Sequence, residues 1–286
     1  MASMRDIKRR KGSIQSTQQI TKAMKLVSTV KLQKARSRAE QTNPYSSYMY
    51  QTVSSMLAKS GNIDHPYLKA GRSGAKAVVV ITSNRGLAGG YNANVIKLLT
   101  DSRLPKEEVW VYAVGGKGKE ALERRGYRIK EDNSHIIESP SYADAAALCA
   151  RVLAAYTAGE IGEIYLAYTH FKNTVVHEPK LMKLLPVELE ENDGSAAEPG
   201  VLMNYEPSEE EALDMIIPKY ITSLFYGALV EAAASENGAR MQAMDSATSN
   251  AEEMISDLTL KYNRARQGSI TQELTEIIAG ASAISG

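Results

Sequence analysis

MQAMDSATSNAEEMISDLTLKYNRA, residues 241–265, places Met241, Met244, Thr248, Ala251, Ile255, Leu258, Tyr262 and Ala265 at alternating spacings of three and four. That spacing is the seam of a coiled coil, with Thr248 its main polar exception. Run backwards, the register passes through Asn237, Ala234, Val230, Gly227, Ser223, Tyr220 and Ile216. The small residues among these let a partner helix approach closely. The helix begins at Ser208, whose side chain is a cap acceptor, and Glu209, Glu210 and Glu211 then sit at the positive end of the dipole. Pro218 is expected to kink it early.

The partner helix is expected at the other end of the chain. Residues 4–58 contain no Gly after Gly12 and one Pro, Pro44, expected to kink or locally break the helix. Ile7, Ile14, Thr21 and Ser28 repeat by seven, with Met24 between the last two, while Ile20, Ala23, Val27 and Val30 form a second, offset stripe. The two stripes suggest a seam that wanders around the helix, so that it touches more than one partner. Helices of about 55 and about 75 residues span roughly 80 and 110 Å. Such an antiparallel pair projects beyond a compact domain, and the longer C-terminal helix ends alone. There Ile270, Leu274, Ile277, Ile278 and Ala279 form an apolar stripe. A lone helix with that face needs an apolar socket from another molecule, or else folds back on the rest of the chain.

Between the helices, short strands and helices alternate: strands at 77–82, 109–114, 164–169 and 175–185, helices at 92–99, 117–125 and 142–156. This predicts an α/β domain with a mainly parallel sheet. Three segments follow: an N-terminal coiled-coil helix (1–60), a globular α/β domain (75–190) and a C-terminal coiled-coil helix (208–286). An acidic connector at 190–207, broken by Gly194, Pro199, Gly200 and Pro207, precedes the last.

Charge is uneven despite a net +1. Residues 1–40 hold eleven Lys or Arg against Asp6 and Glu40, whereas 187–217 hold ten acids and no base. The split points to separate partner surfaces. Nucleic acid is a poor candidate, because no aromatic residue precedes Tyr45 to stack on a base. No apolar run reaches the ~18 residues that cross a bilayer, and the N-terminus has no signal-peptide core. A soluble protein facing the cytoplasm is expected, without direct bilayer insertion. The single cysteine, Cys149, reads as a small buried hydrophobe.

Catalytic chemistry finds little support. TSNRGLAGGYN (82–92) lies between a strand and a helix, where a phosphate-binding turn would sit, but Gly86, Gly89 and Gly90 fit neither dinucleotide nor Walker spacing. GGKGK (115–119) misses both patterns too. His65, His135, His170 and His177 have no metal spacing. No cofactor, metal or catalytic residue is expected; a nucleotide-binding α/β protein with a coiled-coil arm is the alternative.

Three ordered motifs carry a resemblance over essentially the whole chain. IQSTQQITKAMKLVS (14–28), SNRGLAGGYN (83–92) and LTLKYNRARQGSITQEL (258–274) resemble the gamma-subunit family of F-type ATP synthases. The resemblance implies two long end helices coiled together beside a Rossmann-like α/β domain. It implies a rotor shaft that couples proton flow through the membrane sector to ATP synthesis or hydrolysis in beta subunits. The implied partners are a ring of three alpha and three beta subunits, the epsilon subunit and the c-ring, at the cytoplasmic face of the cell membrane. Residue by residue, it implies beta-subunit contacts at Met24, Lys25, Arg240, Arg266, Gln267 and Thr271, with weaker support for Arg9 and Arg10. A foot on the c-ring and epsilon is implied at Met203, Tyr205 and Glu206. Gly268 departs from the family, which usually has Ala there, and is expected to soften the helix.

Overall fold

A computed structural model describes residues 3–59, 65–69, 74–187 and 208–285. Ten elements organise the chain: α1 (Met4–Lys59), β1 (Lys76–Ile81), α2 (Tyr91–Thr100), β2 (Val109–Val114), α3 (Gly116–Arg124), β3 (Arg128–Asp132), α4 (Tyr142–Thr157), β4 (Glu163–Phe171), β5 (His177–Leu185) and α5 (Glu209–Ser285). They divide into two compact units, one made of residues 1–28 and 241–286, the other of residues 29–240.

The larger unit is built on a five-stranded sheet of order β3-β2-β1-β4-β5. β1 pairs in parallel with β2 and β4, β2 in parallel with β3, and only β5 runs antiparallel. Side chains alternate between the two faces. Val78, Val80, Val111 and Ala113 meet Val95, Ile96 and Leu99 of α2 and Leu122 of α3. Val79, Ile81, Tyr112, Val114, Ile164 and Leu166 meet α4, the lower part of α1 at Val53 and Met56, and α5 from Leu213 to Ala232. The sheet is thus covered on both faces, as parallel strands require.

β3 escapes the sequence reading for a physical reason. Arg-Ile-Lys-Glu-Asp alternates charge with one apolar residue and reads as solvated chain. It forms an edge strand, where charge discourages pairing with other molecules. Arg128 and Lys130 lie over the Trp110 ring, 4.6 and 4.3 Å from its centroid.

Neither proline breaks its helix: α1 is continuous through Pro44 and α5 through Pro218. A proline removes one donor from the ladder, and the buried faces on either side hold the helix together. Ser208 caps α5 as expected, its Oγ accepting from Glu211 N–H at 3.2 Å. α5 is long and apolar enough to cross a membrane by composition, but 56% of its most apolar window is buried within the protein. The run of apolar residues there is the core of a helix packed on a sheet.

In the smaller unit α1 and α5 run antiparallel. Gln18 Nε2 donates to Glu252 Oε1 at 3.0 Å, the Thr21 and Thr248 hydroxyls lie 2.8 Å apart, and Lys25 Nζ lies 2.5 Å from Asp245 Oδ1. The C-terminal heptad stands: Met244, Thr248, Ala251 and Leu258 are buried and Met241, Ile255, Tyr262 and Ala265 half-buried. The N-terminal seam does not wander. Within this unit, burial recurs at Met4, Ile7, Lys11, Ile14, Gln18, Thr21, Lys25 and Ser28, an alternation of three and four, with Met24 half-buried beside Lys25. Apolar content alone misplaces it, because Lys11, Gln18 and Lys25 hold seam positions while Ile20, Ala23 and Val27 face outward.

Candidate functional site

The seam register leaves two apolar surfaces exposed among the described residues. The first is the outer face of α1, where Ile20, Leu26 and Val27 are exposed on either side of Lys22. The second is the end of α5. With Gln18 beside Glu252 and Lys25 beside Asp245, Met4 lies level with about residue 265. Beyond that point α5 has no α1 opposite it, and Ile270, Leu274, Ile277 and Ile278 are 49–67% exposed. A helix this apolar, with so little covering it, presents a face for another molecule.

The expected contact residues fall into separate groups. Met24 and Lys25 are half-buried on α1, and Lys25 is engaged by Asp245. Arg266, Gln267 and Thr271 are exposed on α5, with Thr271 Oγ1 bonded back to Gln267 O at 2.9 Å. From Asp245 to Arg266 is about 30 Å along the helix axis, so these two groups are distinct patches. Arg240 belongs to the larger unit, where Glu236 lies 2.7 Å from its guanidinium. Arg9 is exposed and pairs with Asp6 at 3.2 Å. Met203, Tyr205 and Glu206 lie outside the described residues.

Gly268 sits inside α5, and a Cβ there meets no atom within 4 Å. Gly268→Ala is therefore expected to stabilise the local helix by about 1 kcal/mol. Slower amide exchange over residues 264–272 of the isolated chain is the check; unchanged exchange counts against a soft point.

The glycine loops are occupied by the protein itself. Gly116 N–H donates to Asn84 Oδ1 at 2.9 Å, Lys117 N–H to Ser83 O at 3.0 Å and Gly118 N–H to Thr82 Oγ1 at 2.9 Å. These are the first-turn donors of α3 that a phosphate would use. A Cβ on Gly115 would lie 2.1 Å from Thr82 O, and one on Gly118 2.5 Å from Thr82 Oγ1. The glycines let one loop lie against the other. The geometry favours a structural turn over the nucleotide-binding alternative.

Two of the histidines are also engaged within the chain. His65 accepts from Tyr67 N–H through Nδ1 and sets Nε2 3.2 Å from Asp214. His170 Nδ1 lies 2.6 Å from Glu231. Cys149 is buried and its thiol is pushed up to about 11 by desolvation, which makes it unreactive.

His177 Nε2 is buried without a hydrogen-bond partner among the described residues, and burial pushes its imidazole below the ordinary value. A depressed folded value favours the neutral ring, so its contribution is intact above about pH 6.5 and is lost as pH falls toward the folded value. The denaturant midpoint of the native chain is expected to fall below about pH 6.5, with a slope no steeper than ~1.4 kcal/mol per pH unit from this group. His177→Gln should flatten that fall; an identical profile would assign it to other groups.

Comparison with known proteins settles the ancestry of this arrangement. The chain matches the ATP synthase family over residues 3–284. It is 69% identical to the ATP synthase gamma chain of Lachnoclostridium phytofermentans, over 99% of this chain and 100% of that protein. The chain belongs to the ATP synthase gamma chain family. It is also 40% identical to the sodium-ion-specific ATP synthase gamma chain of Acetobacterium woodii, over 99% of each chain. Among solved structures, a chain from the central stalk and c-ring of the Tetrahymena thermophila mitochondrial ATP synthase matches with a TM-score of 0.57 and 25% identity, covering 80% of this chain and 99% of that one. A chain of the Euglena gracilis mitochondrial enzyme shares the fold with a TM-score of 0.69 and 19% identity, covering 98% and 94%. The family member described here is a rotor-shaft subunit of ATP synthase, with no catalytic site of its own.

Proposed function

We propose that this chain turns inside a ring of three alpha and three beta subunits, standing on a foot that meets epsilon and the c-ring at the cytoplasmic face of the cell membrane. Proton flow through the membrane sector drives it, and the asymmetry of its surface carries each beta site through binding, synthesis and release. A rotating object of uneven profile biases the conformational equilibrium of whichever subunit it faces. The observation that carries the reading is the unpartnered end of α5, whose exposed isoleucines and leucine need an apolar sleeve.

Met24 on α1 and Arg266, Gln267 and Thr271 on α5 are the proposed beta contacts, together with Lys25, which already holds the carboxylate of Asp245. Arg240, expected from the resemblance as a further contact, is paired with Glu236 inside the chain and is assigned a different role below. Exposed pairs are worth under ~1 kcal/mol each, so torque is carried by many small contacts and by shape. Met203, Tyr205 and Glu206 complete the proposed foot. Co-expression with alpha and beta subunits tests the reading. One copy of this chain per three alpha and three beta is expected, and assembly without it, or in several copies, would exclude a central shaft.

A further inference from the structure

We propose that Arg240 is a positioning residue: it clamps the loop Ser83–Asn92 onto α5 and acts on coupling through that loop rather than by touching a neighbouring subunit. The inference refines the shaft reading above and rests on it for the coupling step alone.

Ala232, Glu236 and Arg240 follow one another at intervals of four and so form one ridge of α5. The loop is seated along that ridge. Its C-terminal end is pinned where Tyr91 Oη, buried, donates to Ala232 O at 3.3 Å. Its tip is pinned where Arg240 Nη2 donates to Gly86 O at 3.4 Å. The same Nη2 lies 2.7 Å from Glu236 Oε1. Inside the loop, Ser83 N–H donates to Asn92 Oδ1 at 2.9 Å, Asn92 Nδ2 donates to Ser83 Oγ at 2.8 Å, and Ser83 Oγ donates to Arg85 O at 2.6 Å.

The tip requires such a clamp. Leu87 has a φ of 63°, the left-handed region that a bulky L-residue adopts only at a cost. Its side chain is 62% exposed and contributes little packing to hold that conformation. Arg240, by contrast, is covered: its side chain is 12% exposed and that of Glu236 14%. Its charge is already paired with Glu236 inside the chain, and the same nitrogen reaches the loop.

The test compares Arg240→Ala, Arg240→Lys and Asn92→Ala with the native full-length chain. Amide hydrogen exchange on the isolated chain comes first. Arg240→Ala is expected to speed exchange at residues 84–90 by about tenfold, the worth of one charge-assisted hydrogen bond, and to leave 15–27 and 248–258 unchanged. Arg240→Lys keeps one donor and should fall between. Each chain is then assembled with alpha and beta subunits and its torque measured during ATP hydrolysis. Asn92→Ala loosens the loop with Arg240 intact, and it should reproduce the torque loss of Arg240→Ala. Unchanged loop exchange in Arg240→Ala overturns the clamp. Torque lost in Arg240→Ala but full in Asn92→Ala, with both loops loosened, overturns the route through the loop and makes Arg240 a direct contact. Failure of the native chain to assemble would count against the shaft reading and leave the exchange result standing.

Discussion

Met244→Asp is expected to unfold the smaller unit while the larger one stays folded. Met244 is buried in the seam between α1 and α5, and the other buried positions of the unit are Thr21, Ser28, Thr248, Ala251 and Leu258. Three of those five carry a hydroxyl. So small and polar a core has little reserve: losing the methionine removes ~1.5–3 kcal/mol of burial, and seating a carboxylate there adds a further penalty. A net loss above about 3 kcal/mol exceeds what a two-helix seam can absorb. Thermal unfolding followed by circular dichroism should then show helical signal lost well below the main transition. Met244→Leu, which conserves volume, should keep the native profile. A single unchanged transition in Met244→Asp would mean that residues 1–28 and 241–286 are not held together by this seam.

Gly115→Ala is the second large effect, and it falls on the other unit. Gly115 has a φ of 119°, and a Cβ there would lie 2.1 Å from the carbonyl oxygen of Thr82. Thr82 cannot yield easily. Its N–H donates to Val114 O at 2.7 Å and its hydroxyl both donates to Gly115 O and accepts from Gly118 N–H. Strain at a left-handed position and a clash with fixed backbone each cost one to several kcal/mol, so a loss of about 3 kcal/mol or more is expected in chemical denaturation. Gly268→Ala is the internal contrast, since the same methyl group enters open space and should stabilise. If Gly115→Ala proved neutral, the interlock between the ends of β1 and β2 would be wrong.

The two substitutions mark how much the sequence discloses. The heptad of α5 was legible because its seam positions are apolar and strictly spaced, and burial follows them from Met241 to Ala265. The seam of α1 was not, because polarity and packing disagree there. Gln18 and Lys25 occupy seam positions and reach polar partners across it, while Ile20 and Val27, which look like core, are exposed. That inversion is a functional signal: apolar residues are kept outward on a helix whose inner face is already closed. The exposed end of α5 was readable from its stripe and from helix length. The seat of the Ser83–Asn92 loop was not, since Gly86 and Arg240 are 154 residues apart and nothing local links them. Covered arginines are indistinguishable from exposed ones in sequence, so Arg240 entered only through the family resemblance, and its cover by Glu236 is visible only in the fold.

The parts also explain one another. A coiled coil with small seam residues brings its helices close, and the polar cross-links at Gln18, Thr21 and Lys25 cluster at one level of it. Directional bonds resist rotation of one helix against the other better than apolar contact does, because the hydrophobic effect has no preferred angle. For a rotor shaft, stiffness against twist matters more than total stability.

The most direct test of the account is to watch the chain turn. Cys149 is buried and unreactive, so a cysteine introduced at exposed Glu107 offers the reactive thiol for a bead. The chain carrying Glu107→Cys is assembled with alpha and beta subunits fixed to a surface and supplied with ATP. Steady rotation in one direction is predicted, with no ATP turnover by the free chain. A bead that stays still while an intact assembly consumes ATP, or hydrolysis by the chain alone, would contradict it.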